Sequence, residues 1–432
     1  MAVFEGREAS HSAAMLCDHD LPPFLYIVEK SGQILACFAY TGPAHRRIVP
    51  HVARFQLCRS FGHLPSHANP ATAHPRTLTL MWRTTLLCLL LALPAFAAAP
   101  RHIVIRGATP YERGFDHGKL LRNEIRELVR RWGDDIHARL GIPAPDFARL
   151  FVDQTHYVDA IRRWAPDLLE EVRGIADGAG VAFETMLVYQ FGDEMWTEGE
   201  SVAKHCTAIG VDRHGRRPAY VAQNMDIEEL YGGFVVVMEI DDALVLTYPG
   251  LIGLNGINRS AVGVCTNSLE HLAGSRDGLP QAFVVRGLLQ RKSFRDAERF
   301  LRSVRHASGQ NYLVGDGDHA VSFEASAGEV IAAGAQLHGC SYHTNYPLAN
   351  GDLRAGPAPR FEGRDRYAAV AKSITAIPRL KQIEEALRLP RVSNDATFAA
   401  TIMVLRRGAP EILVAPGRPD RSSFEPIRFA AR

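Results

Sequence analysis

The chain is poor in cysteine, and what it has is unevenly spread. Seven cysteines occur in 432 residues, and beyond residue 99 only Cys206, Cys265 and Cys340 remain. An odd number leaves at least one thiol unpaired in that stretch; if Cys265 and Cys340 pair, Cys206 is the one left over. No Cys-x-x-Cys or Cys/His spacing suggests zinc, so no metal site is expected. No Lys/Arg block of the kind that tracks phosphates is present, and with a net charge of +2 this argues against a nucleic-acid binder. The glycines at Gly315–Gly317 and around Gly250–Gly256 lack the GxGxxG or GxxxxGK[ST] form and read as turns. No fixed-period repeat and no dominant low-complexity tract is visible. What remains is an ordinary globular composition, 47% hydrophobic and 22% charged, able to bury a real core.

One apolar run stands out, and it is internal. MWRTTLLCLLLALPAFAAAP begins at Met81 with a single Arg83, continues through the apolar stretch Thr84 to Leu93, and ends in Pro94 and small residues. That is the order of a secretory signal peptide, and the run is shorter than the roughly 20 residues of a membrane span. The expectation is a signal peptide over residues 81–99, a start at Met81, and a secreted or periplasmic protein with no stable membrane span once the signal is removed. Residues 1–80 show no sustained periodicity and are expected to be a disordered upstream extension outside the native protein.

Beyond residue 100 the chain changes character once. IVIR, 103–106, reads as a short strand. YERGFDHGKLLRNEIRELVRRWGDDIHARL then places Leu120, Ile125, Leu128 and Trp132 at helical spacing. FARLFVDQTHYVDAIRRW and PDLLEEVRGIADGAG read as further helices, the latter opened by Pro166 and closed by Gly178 and Gly180. A fourth helix is expected in FETMLVYQFGDEM. WTEGESVAKH is polar and reads as an exposed loop. From Cys206 onwards strands dominate: CTAIGV, YVAQNM, FVVVMEI, ALVLTY, then NYLVGD, AVSFEAS, EVIAAGA and CSYHTNY, with a closing hairpin turning at Arg407-Gly408. Helices interrupt at QAFVVRGLLQRK, SFRDAERFLRSV, Arg364–Ile374 and Leu380–Leu387. Strands in runs and helices in runs predict α+β layers, with a helical part over 100–205 and a sheet part over 206–432.

Cys206 therefore heads the first core strand, directly after an exposed loop. If the His205–Cys206 bond is cut, Cys206 becomes an N-terminal residue whose α-amine, with an ordinary pKa near 8, can take the proton of its own thiol. The same thiol can make the cut by attacking the His205 carbonyl. Such a site needs a carboxylate, and Asp226 closes the returning strand of the hairpin. It needs an oxyanion donor, and Asn345 and Asn267 each sit at the end of an expected strand.

These residues carry a resemblance. HCTAIG followed by AQNMD, then GLNGINRSAVGVCTNSLE, GLPQAFVVRGLL, SGQNYLVGD, YHTNYP and VAPGRP, preceded by TPYERGFDHGKLLRNEI, resemble in order the acyl-coenzyme A:6-aminopenicillanate acyltransferase family of N-terminal-nucleophile hydrolases. The resemblance implies a four-layer αββα sandwich cleaved before its cysteine into two chains that stay associated. It matches Cys206 to the nucleophile, Asp226 to the supporting carboxylate, Asn345 to the oxyanion asparagine and Arg418 to a late arginine, with Asn224 and Asn267 as secondary donors. Many relatives have Gly before the cysteine, where this chain has His205. A small-molecule N-acyl compound is the expected substrate, attacked through an acyl-cysteine thioester, and no cofactor is implied. Two other readings stay open: an unprocessed secreted binding protein of the same fold, and a papain-like set of Cys206, His343 and Asn345 acting without self-cleavage.

Overall fold

The computed structural model describes residues 25–30, 33–38, 100–195, 206–335, 337–355 and 363–431. Residues 81–99, expected to be a signal peptide, and the loop WTEGESVAKH, with His205, lie outside the described residues. The chain divides into two compact units, Met1–Pro94 and Ala95–Arg432. In the first, β1 (Leu25–Lys30) and β2 (Gln33–Phe38) pair antiparallel. This is regular structure where none was expected: two six-residue strands are too short to register as a sustained pattern.

The second unit opens with β3 (Arg101–Val104) and six helices: α1 (Pro110–Leu120), α2 (Arg122–Leu140), α3 (Ala144–Asp153), α4 (Tyr157–Trp164), α5 (Pro166–Ala179) and α6 (Phe183–Val188). Thr109 caps α1 in a reciprocal capping box with Glu112, and Pro166 opens α5, which ends at Gly180 in the left-handed region at φ 68°. The stretch read as one long helix is two, broken at Leu121, and the second expected helix is likewise split into α3 and α4. The first break lets α1 lie flat on α5. Their backbones touch: a Cβ added at Gly174 would sit 2.1 Å from the Tyr111 carbonyl oxygen, and one at Gly114 would sit 1.8 Å from that of Glu171.

The sheet part holds β4 (Thr207–Val211), β5 (Ala219–Asp226), β6 (Val236–Ile240), β7 (Ala243–Thr247), β8 (Asn255–Asn258), β9 (Gly263–Ser268), β10 (Gln310–Gly315), β11 (Ala320–Ala325), β12 (Val330–Ala333), β13 (Cys340–His343), β14 (Thr397–Leu405), β15 (Glu411–Pro416) and β16 (Glu425–Arg428). An eight-stranded sheet runs β12-β11-β10-β9-β8-β7-β6-β3 and a six-stranded sheet runs β13-β4-β5-β14-β15-β16. All pairs are antiparallel except β3 with β6. The two sheets face each other. Gly210 of β4 lies under Leu313 of β10, and Gly263 of β9 lies under Leu405 of β14. A polar strip threads the apolar layer between them: the Asn255 amide donates to Gln223 Oε1 at 2.8 Å and to Thr401 Oγ1 at 3.2 Å.

Helices close both outer faces. α7 (Gln281–Leu289) and α8 (Phe294–Ser303) cover the larger sheet, and Gln281 donates to Thr266 Oγ1 at 3.0 Å. α9 (Arg364–Ser373) and α10 (Leu380–Leu387) cover the smaller, where Val370, Ile374, Ile383 and Leu387 pack on Ile209, Ala222 and Ile402. The result is the expected α+β, four-layer αββα sandwich, and α1–α6 share its main core.

Candidate functional site

Cys206 sits one residue before β4, where the register pairs Thr207 with Asn224 and so sets Cys206 beside the end of β5. The strand alternation turns Cys206, Ala208 and Gly210 towards the gap between the sheets. The buried Sγ lies 3.6 Å from Met225 Sδ and 3.7 Å from the Asp226 carbonyl oxygen. Burial, reinforced by the nearby Asp226 charge, pushes the thiol up to about 12.

Asp226 is fully buried on β5. Burial pushes its carboxyl up to about 6, opposed by the Asn394 amide that donates to Oδ2 at 2.5 Å, by Thr397 and by the Arg366 charge. Its Oδ1 has no hydrogen-bond partner. A buried carboxylate oxygen without a donor is uncommon, and marks a place where an incoming cation would be held.

Arg366 joins the parts. From α9 its buried guanidinium donates to the Cys206 carbonyl oxygen at 2.6 Å, to Thr207 Oγ1 at 2.9 Å and to Asn345 Oδ1 at 2.7 Å. Asn345 in turn donates to the Ser268 carbonyl oxygen at 3.0 Å, and Ser268 Oγ donates to Asp193 at 2.7 Å. With Oδ1 held by Arg366, the Asn345 amide is fixed in orientation, and its NH2 carries one proton more than the Ser268 bond uses. Three expected residues, Cys206, Asp226 and Asn345, thus gather around an arginine that the sequence reading passed over. A signal existed: Arg366 stands four residues before Val370 and eight before Ile374, on the stripe that α9 turns to the core.

The secondary candidates separate. Asn224 points away from the thiol and donates to the carbonyl oxygens of Leu387 and Val392, both at 2.9 Å, fastening the end of α10 to the sheet. Asn267 accepts from Asn311 at 2.9 Å and keeps a buried Nδ2 without a partner. Arg418 stands outside the cluster, in ion pairs with Asp395 at 2.5 Å and Asp420 at 2.9 Å. Cys206, Cys265 and Cys340 are all free thiols: Cys265 faces the gap between the sheets and Cys340 faces α9 and α10, so the pairing considered from sequence is not formed. His343 Nε2 lies 2.7 Å from Glu324 Oε1 and Nδ1 lies 2.7 Å from the Thr344 carbonyl oxygen. Both ring nitrogens meet oxygen acceptors, which leaves neither to take the thiol proton and counts against the papain-like set. Among the described residues no group of three or more His, Cys, Asp or Glu is arranged to hold a metal ion.

A cleft opens beside this cluster, between the helical and sheet parts. Trp132, Tyr231, Tyr248 and Leu251 give it an aromatic and apolar wall, with Asp193 and Gln281 among its polar groups. The Tyr231 and Tyr248 rings stack at 4.0 Å, which stiffens that wall.

Among solved structures, the chain is similar to the Caenorhabditis elegans ortholog of N-acylethanolamine-hydrolyzing acid amidase, at 16% identity over 52% of this chain and 100% of that one, with a TM-score of 0.37. It is also similar to a variant of the conjugated bile acid hydrolase of Clostridium perfringens, at 13% identity over 52% of this chain and 97% of that one, with a TM-score of 0.34. No curated protein matches the chain. Residues 213–360 match the model of the acyl-coenzyme A:6-aminopenicillanic acid acyl-transferase family, the family that the ordered motifs of the sequence resemble.

Proposed function

We propose that this protein is an exported, self-cleaving N-terminal-cysteine amide hydrolase or acyltransferase acting on small N-acyl compounds. The observation that carries the reading is that Arg366 bonds both the Cys206 carbonyl and the Asn345 amide, with the Asp226 backbone carbonyl against Cys206 Sγ. In the first step Sγ attacks the His205 carbonyl carbon, and the thiol proton passes to the Cys206 nitrogen as the C–N bond breaks. Water then opens the thioester, giving a His205 carboxylate and a free Cys206 thiol and amine. The new ammonium is the proposed partner of Asp226 Oδ1, which has no other.

In turnover the α-amine takes the thiol proton, Sγ attacks the substrate amide and the amine leaves with the proton. The spare N–H of Asn345 faces the oxyanion, a contribution worth about 10²–10³ in rate. Water or a second amine resolves the acyl thioester. The cleft walled by Trp132, Tyr231, Tyr248 and Leu251 is the proposed acyl pocket.

Intact mass and N-terminal sequencing of protein expressed from Met81, beside Cys206→Ala, test the reading. Two fragments in wild type, one beginning at Cys206, with a whole mutant, are expected. Two whole proteins with no thiol-dependent turnover would favour the unprocessed binding protein instead.

A further inference from the structure

Glu324 on β11 and His343 at the end of β13 are fully buried side chains from opposite sheets, joined at 2.7 Å. The Glu324 carboxylate does more than hold the imidazole. Oε1 also accepts the Leu348 backbone N–H at 2.5 Å, and Oε2 accepts those of Ala349 at 2.9 Å and Asn350 at 2.7 Å. The Asn350 side chain returns a bond to the Glu324 carbonyl oxygen at 3.1 Å. One carboxylate therefore clamps the chain on both sides of Asn345, two residues before it and three to five after it. Asn345 itself supplies no contact to the clamp; its amide is turned the other way, to Arg366 and Ser268.

The interior of a protein spends a buried charge only where its bonds are met, and Glu324 has four donors. Those four donors belong to the two ends of one short segment with Asn345 between them. We infer that the Glu324–His343 pair is a positioning unit for Asn345, fixing the backbone from which the oxyanion donor projects. The inference rests on the proposed role of Asn345. It differs from a stability role in one respect: the pair acts on the reaction only through Asn345.

The test is a double-mutant cycle on the full chain, with Glu324→Gln, Asn345→Ala and the combination, read by turnover of an octanoyl and a phenylacetyl p-nitroanilide and by the rate of self-cleavage. Glu324→Gln is expected to lower kcat by about 10- to 100-fold with KM within about two-fold, as a displaced catalytic group does. Adding it to Asn345→Ala is expected to cause no further loss. Should Glu324→Gln fail to fold, His343→Ala, which removes the side-chain donor to Glu324, is expected to give the same non-additivity. Independent, multiplying losses, or an unchanged kcat, overturn the inference while wild-type chemistry stands. A wild type indistinguishable from Cys206→Ala and Asn345→Ala overturns the proposed function itself, and the inference with it.

Discussion

At the scale of single residues, the site is built from groups that burial has moved off their ordinary protonation behaviour. Asp226 is raised from 3.8 to about 6, so its neutral form is the one the fold favours. That contribution is whole below about pH 4 and is lost as pH rises through 6. Asp226→Asn, which cannot ionise, is expected to abolish self-cleavage yet to be more stable than wild type at pH 8, by on the order of 3 kcal/mol, with no difference near pH 4. Thermal melts at the two pH values check this. The asparagines are expected to part company as well. Asn345→Ala should slow turnover by about 10²–10³-fold. Asn224→Ala should instead cost about 1–3 kcal/mol of stability, by stranding the Leu387 and Val392 carbonyls, and leave cleavage intact. Cys206, Asp226 and Asn345 could be picked out as candidates in the sequence because each ends or begins a strand next to a polar turn. Arg366 was passed over although it shares the stripe of Val370 and Ile374, because a single arginine beside Arg364 in a polar helix looks like part of a solvated face. Arg418 was attractive for its place near the end of the chain, and it sits instead among Asp395 and Asp420 at the surface.

At the scale of elements, the strands were read more accurately than the long helices. Alternation and β-branched runs marked β4, β5, β7, β10, β11 and β14, and Gly408, at φ 78°, turns the last hairpin as expected. Helical periodicity runs straight through Leu121 and through Thr155, so nothing local announces the breaks that fold α1 onto α5 and α3 onto its neighbours. The short β16 carries too little pattern to stand out. The close contact of α1 and α5 has a direct consequence: Gly174→Ala has no room for its methyl and is expected to cost about 1–3 kcal/mol by forcing the helices apart, measured by denaturant melts. His117 of α1 adds a pH term. It is fully buried and accepts the Gly250 N–H at 3.1 Å, and burial, with the Arg286 charge, lowers its pKa to about 3. The stability from the neutral ring is complete above 6.5 and is lost as pH falls towards 3. His117→Gln, which keeps an acceptor, is expected to flatten the acid side of the stability profile.

At the scale of the whole molecule, the helical and sheet parts are held by a buried ion pair as well as by the core. Arg286 of α7 grips Glu171 of α5 with two bonds, at 2.6 and 2.9 Å, and both side chains are buried. Glu171 precedes the His205–Cys206 bond and Arg286 follows it, so after the proposed cut the pair joins two chains. Glu171→Gln is expected to cost about 3–5 kcal/mol and to let the cleaved chains separate at lower denaturant, seen by size-exclusion chromatography. The placement of Arg366 has a further consequence, in time rather than in space. It lies 160 residues downstream of the thiol whose carbonyl it holds. A ribosome adding about 5–20 residues per second needs roughly 8–30 s to cover that distance. During that interval the nascent chain carries the Cys206 thiol without the cation that holds its carbonyl. If the proposed self-cleavage holds, a chain wired in this way stays chemically silent while it is being made, and becomes competent only once Arg366 has been synthesised and folded back.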